Sequence, residues 1–258
     1  MSVPNRSRAG APVRSVLALD VVDSTNAEAL RRAGAGARGP LWITARTQSA
    51  GRGRRGRPWT SPAGNLHATL MLCDPAPPTA AAQLGFVAGV AVHDAAAAQA
   101  PGLAGRLKLK WPNDLLCAGR KIAGVLIEGE GAPLAVAVGI GVNCRHHPDT
   151  VEFHAATDFA TEGCDVGAEA LFDDLAGAMA ARLREWDRGA GFASIRTAWL
   201  ERASGIGDHV EVRLDGTVTA GRFETIDAAG RLILRTPDGV VAVAAGDVFA
   251  LDPARRTP

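Results

Sequence analysis

The chain is 258 residues long, 47% hydrophobic and 21% charged, with Lys+Arg 28 against Asp+Glu 27. That length allows one large domain and a small one, and the charge balance excludes a global attraction to nucleic acid or to an anionic membrane. No apolar run approaches the ~20 residues of a bilayer span, and the first residues hold no hydrophobic signal core, so a cytoplasmic protein without membrane association is expected.

Residues 1–13, rich in Pro, Ser and Arg, read as a disordered tail. A short strand is expected at 15–20, followed by Ser24-Thr25-Asn26-Ala27-Glu28, in which Thr25 and Glu28 have capping-box spacing. The helix behind it should run to residue 33 and end in the glycines of 34–39. Strands are predicted at 41–46, 66–73, 106–111, 122–128 and 134–142. In 106–111, Leu107, Leu109 and Trp111 alternate with Arg106, Lys108 and Lys110. One helix carries Leu84, Val87, Ala91 and Val92, another carries Leu171, Leu175, Met179 and Trp186, and a third is placed at 192–203. After Gly205 come four short β segments, 209–214, 218–226, 231–235 and 240–251, separated by Asp215-Gly216, Ala229-Gly230 and Asp238-Gly239. The pattern gives an α+β domain over 14–203 and a small barrel over 204–258. Cys73, Cys117, Cys144 and Cys164 form no Cys-x-x-Cys pair, which argues against a zinc site or a disulfide framework.

The strongest local signal is Gly51-Arg52-Gly53-Arg54-Arg55-Gly56-Arg57 followed by Pro58-Trp59. Glycines allow close backbone approach, and arginines bring permanently charged forked donors, so the segment suits an anion. A basic loop that binds nothing in particular, or RNA non-specifically, would share this composition. Its position between strands speaks against that. No Gly-Lys-Ser/Thr follows, so it is not a Walker loop. Lys108-Leu109-Lys110-Trp111-Pro112-Asn113-Asp114 closes a strand, with Pro112 stopping it and Asn113-Asp114 expected as a tight turn. Lys121 introduces Ile122-Ala123-Gly124-Val125-Leu126-Ile127-Glu128; such a lysine is usually solvated, but in a pocket beside arginines it could hold a carboxylate against a phosphate. Gly139-Ile140-Gly141-Val142-Asn143 is a glycine-interrupted strand, a sign of close approach or of a bulge.

Taken in order with Asp23-Ser24-Thr25-Asn26 and Gln48, these motifs resemble the biotin–protein ligases over roughly residues 15–252. The resemblance implies a mixed sheet with helices, like the catalytic domains of class II aminoacyl-tRNA synthetases, and an SH3-like barrel behind it. It implies that Ser24, Thr25, Asn26 and Gln48 bind the ureido ring of biotin, with Gly51, Arg52, Gly53, Arg54, Lys121 and Gly124 completing the biotin site. Arg52, Arg54 and Arg57 would close over the carboxylate and phosphates. Arg54, Arg57, Trp59, Lys110, Asn113, Asp114 and Asn143 would serve ATP, which would bring Mg2+ without a dedicated protein metal site. Arg54, Arg57 and Lys121 are the expected catalytic residues. The expected reaction makes biotinyl-adenylate and passes biotin to a lysine of a biotin carboxyl carrier protein domain, in a monomer or homodimer.

Only 23 residues precede Ser24, too few for a helix-turn-helix module, so no operator binding or repression is expected. Where the family commonly has tyrosine this chain has His67, which reads as structural, and there is no tyrosine anywhere. The rivals are a lipoate or octanoate ligase of related fold and a non-enzymatic nucleic-acid-binding module. The second needs more aromatic residues than the 5% present.

Overall fold

The computed structural model describes residues 15–149, 155–214 and 216–250. The tail expected at 1–13, Asp215 of the first barrel turn and Leu251 lie outside them.

The larger part is a seven-stranded mixed sheet: β1 (Val16–Val22), β2 (Leu41–Gln48), β3 (Leu66–Cys73), β4 (Leu107–Lys110), β5 (Asp114–Cys117), β6 (Arg120–Glu130) and β7 (Ala135–Val142). Their spatial order is β1-β2-β3-β7-β6-β5-β4. Parallel pairing of β1 with β2 requires a crossover, which α1 (Thr25–Gly34) supplies. The remaining neighbours are antiparallel.

The central strands are buried on both faces, and the alternation of side chains sorts them. Leu66, Ala68 and Leu70 of β3, with Val136, Val138, Ile140 and Val142 of β7, join the main core. That core is built against α3 (Leu84–Gln99), α4 (Ala168–Trp186) and α5 (Phe192–Glu201), with the short α2 (Pro78–Ala81) leading into α3. The opposite face, with Ile43, Met71 and Ala137, is covered at one end by Ala29 of α1. Residues 78–99 are apolar and long enough to cross a membrane by composition alone, but they are mostly buried in this core.

The second sheet contains β8 (His209–Leu214), β9 (Thr217–Ile226), β10 (Leu232–Thr236), β11 (Gly239–Val243) and β12 (Asp247–Ala250), all antiparallel in the order β11-β10-β9-β8-β12. This is the SH3-like part. Val210, Val212, Phe223, Ile226, Leu232 and Leu234 extend the main core into it, and Trp111 Nε1 donates to Gly230 O at 3.1 Å. Arg196 Nη2 on α5 also donates to Thr225 Oγ1 at 3.0 Å. We propose Ser204 as the division between the parts, just after α5; its N–H donates to Leu109 O at 2.8 Å.

Three local expectations are corrected. The N-cap of α1 is Ser24, whose hydroxyl accepts from Ala27 N at 3.4 Å, so Thr25 is the first helical residue and not the cap. The turn after β4 is confined to 111–113, and Asp114 opens β5, paired with Lys110. The segment expected as one strand at 240–251 is two, broken before Asp247 by Gly246 at φ +150, where a Cβ would stand 2.4 Å from Val212 Cγ1.

Candidate functional site

Beyond the N-terminus of α1, the second face of the sheet carries no helix, and a cavity of about 320 Å³ opens there. Sequence explains the space. In antiparallel register, Thr69 of β3 faces Gly139 of β7, which faces Leu126 of β6; one step on, His67 faces Gly141, which faces Gly124. Three of these six positions carry no side chain, so the floor is low at 124, 139 and 141. A Cβ on Gly139 would lie 2.2 Å from Asn26 Oδ1, and one on Gly141 would lie 2.6 Å from Trp59 Nε1. The glycine-interrupted strand therefore marks close approach of side chains, not a bulge.

One end of the cavity is polar and without net charge. Thr25 N and Thr25 Oγ1 donate to Gln48 Oε1 at 2.8 and 3.0 Å, and Gln48 Nε2 donates to Ser61 Oγ at 2.8 Å. Asn26, 3% exposed, donates from Nδ2 to Glu128 Oε2 at 2.8 Å and accepts at Oδ1 from Thr69 Oγ1 at 2.7 Å. Arg52 donates to Glu128 at 3.0 and 3.2 Å, so its charge is matched here. Asp23 holds the Ser24 turn, accepting from Ser24 N at 2.7 Å and from Arg31 at 2.7 and 2.8 Å. Hydrogen bonds from Arg31, reinforced by Ser24 N, lower the Asp23 pKa to about 2.

Trp59 lies across the middle, its indole over Gly141 and Gly124, with Nε1 buried and lacking a hydrogen-bond partner. Lys121 Nζ stands 5.4 Å from the ring centroid, close enough for a cation–π contact.

The other end is charged. Lys121 Nζ pairs with Asp114 Oδ1 at 2.6 Å. Arg54 Nη1 donates to Asn113 Oδ1 at 3.4 Å and to Gly246 O at 3.2 Å, both neutral oxygens. Burial pushes the Arg54 pKa down from its ordinary value against Asp247 and Asp114, so this half-buried cation is poorly compensated. Asp247, on β12 of the second sheet, pairs with Arg55 at 3.2 Å and with Arg57. Asn143 donates from Nδ2 to Thr157 O at 3.0 Å. Such an end can draw in an anion, and the arginines are tethered by contacts an anion could replace.

Of the residues expected from sequence, Ser24, Thr25, Asn26, Gln48, Arg52, Gly53, Arg54, Arg57, Trp59, Asn113, Asp114, Lys121, Gly124 and Asn143 all line this cavity. Gly51 and Lys110 do not line it. Gly51 sits behind it, where a Cβ would meet Ser61 Oγ at 2.5 Å and Trp59 O at 2.6 Å. Lys110 lies beside it, its Nζ 5.9 Å from the Phe249 ring, and burial lowers its pKa to about 8. Arg52 joins the uncharged end rather than Arg54 and Arg57. His67 is buried and donates from Nε2 to Pro62 O at 3.2 Å, a structural position. Glu128 and Asp247 were missed, the first because it ends an ordinary strand and the second because nothing near it forms a motif. Among the described residues no group of His, Cys, Asp or Glu could hold a metal ion by itself.

Two family profiles match this sequence, the Biotin/lipoate A/B protein ligase family over residues 18–144 and the Biotin protein ligase C terminal domain over residues 205–251. The biotin–[acetyl-CoA-carboxylase] ligase of Paracoccus denitrificans is 47% identical over 235 residues, 88% of this chain and 97% of that protein. A Mycobacterium tuberculosis protein of the same name is 35% identical over 90% of this chain and 89% of its own length. The bifunctional ligase/repressor BirA of Escherichia coli is 30% identical over 94% of this chain and 75% of its own. Among solved structures, biotin protein ligase from Aquifex aeolicus in complex with biotin and ATP aligns with a TM-score of 0.77 at 23% identity, covering 91% of this chain and 97% of that one, a likeness of fold. Biotin protein ligase from Leishmania major in complex with biotinyl-5-AMP aligns with a TM-score of 0.65 at 25% identity, covering 91% and 100%.

Proposed function

The chain belongs to the Biotin/lipoate A/B protein ligase family, and from that premise we propose how its cavity activates biotin with ATP and passes it to a lysine of an acceptor protein. The observation that carries the reading is the polarity of the cavity: uncharged hydrogen-bonding groups at one end, cations at the other, and an indole on a glycine floor between them. Biotin has the same sequence of parts. Its ureido ring offers two N–H donors and a carbonyl to Ser24, Thr25 and Gln48. Its acyl chain would cross the floor against Trp59, and its carboxylate would meet Lys121 and Arg54. A lipoyl or octanoyl group carries no ureido N–H or carbonyl to use the donors and acceptors at 24, 25 and 48, so biotin is favoured over those substrates.

ATP would occupy the charged end, with Arg54, Arg57, Asn113, Asp114 and Asn143 around it and Lys110 behind. Mg2+ would arrive with the triphosphate and supply further neutralisation of its charge. A carboxylate oxygen of biotin attacks the α-phosphorus, the bond to the β-phosphate oxygen breaks, and pyrophosphate leaves. The cations at Lys121, Arg54 and Arg57 offset the negative charge that crowds there, and positioning supplies the rest without a protein nucleophile. The neutral ε-amine of the acceptor lysine then attacks the acyl carbon, AMP leaves, and the amine proton passes to solvent. A closed arginine segment would shield the mixed anhydride from water. The acceptor would be the carrier domain of a biotin-dependent carboxylase, as the names of the relatives suggest, and the reaction would run in the cytoplasm.

Incubation with labelled biotin, ATP and a carrier domain tests the reaction directly. Lys121→Ala and Arg54→Ala should each lower biotin-dependent pyrophosphate release by about a hundredfold. Release at the wild-type rate in both variants would refute the assignment.

A further inference from the structure

Glu128 takes no part in the reaction just described, yet its carboxylate joins two of the residues that line the cavity's uncharged end. Its carboxylate accepts from Asn26 Nδ2 at 2.8 Å and from Arg52 Nε and Nη2 at 3.0 and 3.2 Å. Both ionic partners are half-buried, with side-chain exposures of 26% for Glu128 and 35% for Arg52. An ion pair in such surroundings is screened less than one at the surface and is held in geometry by the charge-assisted hydrogen bonds.

We propose that Glu128 is a positioning residue for biotin, resting on the ligase reading above. Its one carboxylate fastens the entrance of the arginine segment, at Arg52, to the turn at Asn26 that begins α1. Two consequences follow from the contacts. First, the polar atoms of Asn26 are committed to Glu128, Leu126 O and Thr69, so Asn26 braces the turn; Thr25 Oγ1 is likewise engaged with Gln48 and Thr69, while the Ser24 hydroxyl, which accepts from Ala27 N at 3.4 Å, keeps its proton for the ring. Second, the segment is held at both ends by carboxylates of different kinds. Asp247 holds Arg55 and Arg57 where a triphosphate would compete for them. Glu128 holds Arg52 beside an uncharged ring that offers no competing anion. The Glu128 contact therefore persists through the reaction and acts as the fixed end about which 54–57 moves. Removing it loosens the ring site and leaves the triphosphate contacts in place.

The test uses the full chain as wild type, Glu128→Gln, Arg52→Met and the double variant. Biotin affinity is measured by calorimetry without nucleotide, pyrophosphate release is followed at varied biotin and varied ATP, and melting is recorded for each protein. Glu128→Gln should raise the biotin Kd and KM about tenfold, with kcat and the ATP KM within about twofold of wild type. Arg52→Met should act in the same way, and the double variant should match either single variant rather than multiply them. Glu128→Asp, which keeps the charge, should recover part of the loss. A biotin Kd unchanged in Glu128→Gln, an equal rise in the ATP KM, or multiplicative effects in the double variant would overturn the proposal. If Glu128→Gln does not fold, an unchanged Kd in Arg52→Met overturns it alone. Wild-type protein that binds biotin but releases no pyrophosphate would sink the ligase reading, and the calorimetric comparison would still decide the role of Glu128.

Discussion

Gly141 is the seat of Trp59: a methyl group on its α-carbon would stand 2.6 Å from both Cε2 and Nε1 of the indole. The ring cannot lie where it does above any residue with a Cβ. Gly141→Ala should therefore expel the indole from the cavity floor while the sheet, open on that side, stays folded. Overpacking of this kind costs about 1–3 kcal/mol. The loss should appear as biotin binding weakened about tenfold or more, and as a change in tryptophan emission absent from the Trp59→Phe background. Biotin affinity and emission both at wild-type values would show that the indole does not form the wall of the substrate site.

Asp247 is the only described residue of the second sheet whose side chain lines the cavity, and it pairs with two arginines 190 and 192 positions away. The arginines are partly solvated, with side-chain exposures of 33% and 36%, so each contact is worth less than about 1 kcal/mol. Their joint loss still matters for a loop that is otherwise weakly held. Asp247→Asn should speed tryptic cleavage after Arg54 and Arg55 in the empty enzyme about fivefold. Biotin with a non-hydrolysable ATP analogue should suppress that cleavage in both proteins. Mass spectrometry of the digest reads the sites, and equal cleavage rates without ligand would show that Asp247 does not restrain the segment.

Much of this site was legible because its chemistry is local. Ser24-Thr25-Asn26 and the glycines and arginines of 51–57 stand out by residue type within a few positions, whereas Lys121 and Gly139 with Gly141 read alone as a solvated lysine and a bulge and gain their meaning from the order of the motifs. The strands of 66–73 and 209–214 were legible for a similar reason, being apolar or alternating runs bounded by turns. What could not be read depends on pairing across the chain. Glu128 is one more charged residue at a strand end until the fold brings it to Asn26 and Arg52. Asp247 gains its meaning only when β12 docks beside the first sheet. The break at Gly246 was hidden for another reason: Ala244-Ala245 continues an apolar run, and the obstruction by Val212 is on a neighbouring strand. Trp111, assigned to a motif of the site, is chiefly a peg for the barrel through Gly230.

Lys110, beside the proposed nucleotide end, should make nucleotide binding depend on pH in a definite direction. Burial lowers its pKa to about 8, with Lys121 adding to the shift and Asp114 and Asp247 opposing it. Above that pH the empty protein holds Lys110 mainly neutral. Between about 8 and the unfolded lysine value near 10.4, the unfolded chain binds more protons than the folded one, so this group makes stability rise with pH there. A bound triphosphate brings negative charge close to the ammonium and raises its pKa. Nucleotide binding at pH 8.5 should therefore take up a proton, and at pH 6.5 this group should take up none. Calorimetry in two buffers of different ionisation enthalpy measures the uptake, and Lys110→Met should abolish the portion seen at pH 8.5. Uptake at pH 8.5 identical in wild type and Lys110→Met would remove Lys110 from the nucleotide site.

Glu162 ties the backbone around Lys121 to the rest of the fold, and its contribution should fade in acid. Its side chain is 2% exposed and accepts from Arg106 at 2.6 Å, Arg120 at 2.5 Å and Thr157 Oγ1 at 2.8 Å. Thr157 N in turn donates to Lys121 O at 2.9 Å, and Lys121 N donates to Ala155 O at 2.8 Å. Burial alone would raise the Glu162 pKa; the Thr157 hydroxyl and the charges of Arg120 and Arg106 outweigh it and hold the group below the ordinary glutamate value. A lowered folded pKa means stability that is present above the unfolded pKa and lost as pH falls through the folded one. The arginines, 47% and 40% exposed, can be re-solvated when the carboxylate is removed, which sets the cost of Glu162→Gln at about 1–2 kcal/mol rather than that of a fully buried pair. Urea unfolding at pH 7 should show that deficit against wild type, and at a pH below the folded pKa the two proteins should unfold together. A deficit of the same size at both pH values would show that shape at position 162, and not its charge, supports the Lys121 strand.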